Sequence, residues 1–166
     1  MSTTTISPGA TGPRLPAGAN LILASSSPYR REPLQSLHTP FSCHNPAIDE
    51  SRLPQELPLH YVRRLALAKA EAIARQHPHS WVIGSDQAAV LVRSDGHGHD
   101  VAEEILGKPG EIHRAQAQLA RCSGHRVQFL TALCLLVPGQ APREHIDLTT
   151  VHFRQLSAEE IQRYVA

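Results

Sequence analysis

An apolar run of four residues, Leu21-Ile22-Leu23-Ala24, stops abruptly at Ser25-Ser26-Ser27-Pro28. A short buried strand therefore feeds straight into a helix start, with Ser27 able to cap and Pro28 able to take the first helical position. The helix would run through Arg30, Arg31 and Leu34, short or kinked because of Pro33. Phe41 to Pro46 reads as a second strand and Ala47 to Ser51 as a polar loop. From about Pro58 to Arg75 the spacing is helical, with Val62, Leu65, Ala66, Lys69, Ala70 and Ile73 on one stripe. Trp81-Val82-Ile83 is again a strand, running into Gly84-Ser85-Asp86-Gln87, and Ala88 to Val92 continues extended. Residues Arg93 to Glu104 read as a loop at a hairpin tip. A helix over about Glu111 to Arg121 turns Ile112, Ala115 and Leu119 inward. In the strand Val127 to Val137, residues Val127, Phe129, Thr131, Leu133 and Leu135 share one face. Ile146 to Leu156 is its partner. Ser157 and Glu160 form a capping box for a last helix, which Ala166 cuts off about two turns in. Alternating strands and helices, then two long paired strands, give an α/β fold: a mixed, twisted sheet flanked by helices.

The length, 166 residues, suits one domain, and residues 1–19, rich in Ser, Thr, Pro and Gly, read as a disordered tail. The net charge of +1 gives no general attraction to nucleic acid or acidic membrane, so anions must be bound by locally placed basic residues. Cys43, Cys122 and Cys134 form no CxxC and fit reduced thiols in a cytoplasmic protein. The motifs GxxxxGK[ST], GxGxxG and GxSxG do not occur.

Four places carry candidate chemistry. The first is the junction Ser25 to Arg31: a helix N-terminus favours an anion, and Arg30 and Arg31 add forked donors, although a plain capped helix with solvated arginines has the same pattern. Lys69 falls on the apolar stripe. It is either a buried ammonium in need of a partner or a stem on the core edge with its head in water. Asp86, where an apolar strand turns polar, is placed to hold a hard divalent cation, and Glu50 could join it or remain a solvated acid. Gly107-Lys108-Pro109 is a stiff turn whose lysine could meet a phosphate. His97, His99 and Asp100 sit in a glycine-rich loop without rigid support and are rejected as a catalytic metal site.

Read in order, LASSSPYRR, Asp49-Glu50, LALAKA, VIGSDQ, LGKP, SGH, FLTAL and VHFRQLSAEEIQRYV resemble the Maf family of nucleoside triphosphate pyrophosphatases from Leu21 to Ala166. Asp86-Gln87 and VHFRQLS look like its 7-methyl-GTP branch. The resemblance implies a two-lobed cleft and cleavage of a nucleoside triphosphate, 7-methyl-GTP in that branch, to monophosphate and pyrophosphate with Mg²⁺ or Mn²⁺. By motif position, Asp86 is the proton acceptor and, with Glu50, a metal ligand. Ser25, Arg30, Lys69 and Lys108 are substrate-binding, and Tyr29 and Gln87 tune base choice. Tyr29 stands where that branch has tryptophan. A homodimer is implied as well, with no nucleic-acid or membrane partner. The family pattern continues beyond the last helix, so a C-terminally truncated member is expected. Two rival readings are a nucleotide-binding protein without turnover and an inactive truncated relative.

Overall fold

The computed structural model describes residues 15–16, 18–94 and 100–166. Nearly all of the expected tail, together with His97 and His99, lies outside the described residues. The elements are β1 (Leu21–Ala24), α1 (Pro28–Gln35), β2 (Ser42–Cys43), α2 (Pro58–Ala74), β3 (Trp81–Ser94), β4 (Asp100–Leu106), α3 (Ile112–Cys122), β5 (Arg126–Leu136), β6 (Arg143–His152) and α4 (Ala158–Val165).

The six strands form one mixed sheet in the order β2-β1-β3-β5-β6, with β4 also on β3. β1 pairs parallel with β2 and β3; β3 pairs antiparallel with β4 and β5, and β5 with β6. On one edge of β3 the partner changes. β1 pairs up to Ala24↔Gly84, and β4 pairs from Ala89↔Leu106 onward. Along the other edge β5 runs unbroken from Val82↔Leu136 to Val92↔Arg126. Among the described residues, no strand pairs with Ser85–Ala88 on the first edge, so the sheet forks there.

Helix α2 covers one face of the sheet. Its stripe Val62, Ala66, Ala70 and Ile73 packs with Ile22, Ala24, Val82, Ala88, Ala132 and Cys134 into the main core. The opposite face carries a smaller core in which Leu91, Cys122 and Val127 meet Phe129 and Phe153, beneath α3. At Gly84 the helix lies so close that an added Cβ would run into the Ala66 carbonyl oxygen and come within 2.8 Å of the Ala70 nitrogen. Both obstacles are helix backbone, which cannot step aside as a flexible side chain does.

Several expectations need correction. Ser27 occupies the N-cap position of α1, but its side chain makes no cap hydrogen bond. Its backbone N–H instead donates to Ser25 Oγ at 3.1 Å. The expected second strand shrinks to Ser42–Cys43, and the loop proposed for 93–104 largely belongs to the hairpin strands β3 and β4, whose polar sequence hid the pairing. Ile112 is 60% exposed, because at the first residue of α3 it projects beyond the small core that the far end, Cys122, enters. In the middle of β5 the core face is the one bearing Ala132 and Cys134, under α2, while Leu133 is exposed. The capping box at Ser157 and Glu160 forms as expected: Ser157 Oγ accepts from the Glu160 N–H, and the Glu160 carboxylate accepts from the Ser157 N–H.

Replacing Gly84 with alanine should therefore force α2 off the sheet. Overpacking costs about 1–3 kcal/mol, and contacts with backbone fall at the upper end. Urea unfolding of Gly84→Ala should show a loss of about 3 kcal/mol or more, or no folded protein at all; unchanged stability would contradict the close approach.

Candidate active site

The fork in β3 is where separate elements converge. β1 ends beside Gly84 and passes into Ser25 and the N-terminal turn of α1. β4 ends beside Ala89 and passes into Gly107 and Lys108. Asp86 lies between these two ends, on the same face of β3 as Gly84 because strand side chains alternate. That is also the face beneath α2. Lys69 lies on α2 between Ala66 and Ala70, the two residues that touch Gly84. The close approach at Gly84 thus carries Lys69 to Asp86.

The resulting cluster holds two carboxylates and two cations. Lys69 Nζ donates to Asp86 Oδ1 at 2.6 Å and lies 2.8 Å from Glu50 Oε1. Arg30 Nη2 approaches Asp86 Oδ1 at 3.7 Å. Lys69 and Asp86 are only 4% and 5% exposed, whereas the Glu50 side chain is 56% exposed, so the cluster opens to solvent on the Glu50 side. Burial raises the Asp86 pKa above the ordinary aspartate value; the hydrogen bond and charge of Lys69, then Arg30, act in the opposite direction.

Of the residues singled out in the sequence, the structure brings Asp86, Lys69, Glu50 and Arg30 into contact. Ser25 is buried at the end of β1 and accepts the Ser27 N–H, fixing the turn between β1 and α1. Gln87 points to the opposite face of β3 from Asp86, where its amide donates to Thr131 Oγ1 at 2.7 Å. Tyr29, in the first turn of α1, is 84% exposed. Lys108 is exposed and makes no ion pair among the described residues.

Two residues that sequence reasoning missed hold the loop that carries Glu50. Tyr61, on α2, donates its hydroxyl to the Glu50 carbonyl at 2.9 Å. Arg64 donates to the Ser51 carbonyl at 3.0 Å and grips Glu56 through two nitrogens at 2.6 and 2.8 Å. That clasp holds the Glu56 carboxyl down at about 2. The available signal was spacing: Tyr61 and Arg64 sit three apart on α2 and so share a face. A sequence does not say which loop that face meets.

Among the described residues no group of three or more His, Cys, Asp or Glu gathers as a closed metal cage. Magnesium-type cations need less: one or two carboxylates, with waters and substrate phosphates completing the shell. Asp86 and Glu50 each aim an oxygen at one point, the Lys69 ammonium, and as a pair they fit that requirement.

Comparison with known proteins agrees with this architecture. The profile of the family described as Maf-like protein matches residues 20–166. A Pseudomonas putida protein named 7-methyl-GTP pyrophosphatase is 50% identical over 148 residues, covering 88% of this chain and 71% of the relative. A Xanthomonas campestris protein of the same name is 47% identical over 146 residues, with the same coverage. Among solved structures, the Staphylococcus aureus Ham1 protein superposes with a TM-score of 0.54 at 13% identity, covering 80% of this chain and 71% of that one. A HAM1 protein from Coxiella burnetii gives 0.55 at 12% identity, covering 81% and 72%. At such low identity these two bear on the fold alone.

Because Lys69 holds the Asp86 carboxyl down against burial, Lys69→Met should raise the titration midpoint of Asp86 by at least about one pH unit, about 1.4 kcal/mol of lost preference for the charged form. Carboxyl-carbon NMR of the two proteins would read it. An unmoved midpoint would mean that the ammonium does not set the state of Asp86.

Proposed function

The chain belongs to the Maf-like protein family, and from that premise we propose that it hydrolyses a nucleoside triphosphate, 7-methyl-GTP foremost, to nucleoside monophosphate and pyrophosphate. The observation that carries the reading is the Lys69–Asp86–Glu50 cluster at the fork, with Arg30 beside it. The names of the relatives support the substrate.

The reaction adds water to the α-phosphorus and breaks the α–β bridge, so pyrophosphate leaves with the bridging oxygen. Its transition state asks mainly for positioning and for positive charge around phosphoryl oxygens. Arg30 and Lys69 supply that charge from α1 and α2, and Lys108 brings more from the end of β4. Ser25 and the N-terminal turn of α1 offer polar contacts to the same anion. Asp86 accepts the proton of the attacking water, a task suited to a carboxyl whose pKa burial has raised. Mg²⁺ or Mn²⁺ held by Asp86 and Glu50 would withdraw charge from a phosphoryl oxygen.

Base choice falls to Tyr29 and Gln87. The open ring of Tyr29 can stack on a methylated, cationic guanine, and the Gln87 amide offers both donor and acceptor. Since Gln87 and Asp86 face opposite sides of β3, the base would lie across the strand from the phosphates.

Two measurements test this. Asp86→Asn should keep its circular dichroism and lose at least ~10²-fold in pyrophosphate release; an active, folded variant would remove Asp86 from the role. Tyr29→Ala should cut the preference for 7-methyl-GTP over GTP, as a ratio of kcat/KM, by on the order of fivefold, the equivalent of about 1 kcal/mol of cation–π contact. An unchanged ratio would show that Tyr29 does not read the base.

A further inference from the structure

The charges of the cluster cancel. Asp86 and Glu50 contribute two negative charges, and Lys69 and Arg30 contribute two positive ones. A divalent cation approaching on its own meets no net attraction. It must also break two short contacts of Lys69 with the carboxylates, stranding a buried ammonium at 4% exposure. A buried ammonium without a partner is strongly disfavoured. A triphosphate changes both conditions at once: its oxygens supply a new anionic partner for Lys69 and Arg30, and the two carboxylates are released to a cation. Glu50, the exposed member on a loop held by Tyr61 and Arg64, can yield its contact without disturbing the core.

We propose that Lys69 is a resident counter-cation for Asp86 and Glu50, so that the site takes up its divalent metal together with the triphosphate and not before it. This rests on the pyrophosphatase reading above and adds an order of binding and a second task for Lys69. In the free protein Lys69 keeps two acids neutralised; with substrate it transfers to phosphate, and the acids become metal ligands in the same event. The arrangement makes the protein indifferent to free divalent cations and selective for the metal–polyphosphate complex.

Water-proton relaxation of Mn²⁺ distinguishes metal on the protein from metal free or on phosphate in solution. For the full chain, Mn²⁺ alone should give little enhancement, and adding inorganic tripolyphosphate should produce a large one. Lys69→Met should reverse this order: Mn²⁺ alone binds at least about tenfold more tightly than in the parent, tripolyphosphate adds little, and Asp86→Asn in the same background abolishes the gain. A lysine that merely filled space would not tighten metal binding when removed. Strong binding of Mn²⁺ alone by the parent chain overturns the proposal, as does a folded Lys69→Met protein with unaltered Mn²⁺ affinity, or the absence of enhancement with and without tripolyphosphate. Should Lys69→Met fail to fold, the parent arms still decide. Pyrophosphate release from 7-methyl-GTP is measured in the same preparations: its absence counts against the reaction, while the order of Mn²⁺ binding counts for or against Lys69.

Discussion

The closeness of α2 to β3 at Gly84 is the constraint on which the rest of the molecule depends. Helix backbone occupies the volume of a missing Cβ, so the main core and the charged cluster share a single contact. Ala66 and Ala70 flank Gly84 from the helix, and Lys69 stands between them in sequence, one step around the helix. Asp86 stands two residues past Gly84, one strand repeat along the same face. The distance that the Lys69 stem must span to the short Asp86 side chain is therefore set by backbone packing, which is stiff. A site whose reacting groups must be held to within about 0.5 Å gains from such support.

The ion pair itself is poor evidence of stability. Desolvating a lysine and an aspartate offsets most of their attraction, and apolar replacements of matching volume are often as stable. What the pair secures is electrostatic readiness. Burial alone would leave Asp86 protonated more readily, and Lys69 and Arg30 oppose this. The loop with Glu50 is tied down differently, by the Tyr61 hydroxyl on the Glu50 carbonyl and by Arg64 on the Ser51 carbonyl and the Glu56 carboxylate, which leaves the Glu50 carboxylate itself at the solvent boundary. One acid is thus fixed by the core and the other by a clasp at the rim.

The sequence disclosed most of what is periodic. The α2 stripe, Lys69 upon it included, is buried as its spacing requires, and the capping box at Ser157 is a local pattern with a local outcome. Errors arose where neighbours distant in the chain decide. Residues 127 to 135 carry most of their larger apolar side chains on one face, yet the small residues Ala132 and Cys134 are the buried ones against α2, with Leu130 and Leu136 packed partly buried on either side of them. Ile112 has the right period for α3 but lies at its outer end. Strand β4 is rich in acids and escaped notice because its pairing with β3 rests on backbone hydrogen bonds. Asp86, Lys69 and Glu50 could be named as candidates, whereas the clasp of Tyr61 and Arg64 could not, since nothing local links a helix face to a loop eleven residues upstream.

The change of partner along β3 has a mechanical meaning. β1 and β4 each grip only part of the strand, and β5 spans both parts without interruption. β5 therefore acts as a splint across a fracture. Any change in the angle between the two parts of the strand would have to flex this continuous two-stranded ribbon. The stiffness of the sheet at the fork is that of the β3–β5 ladder.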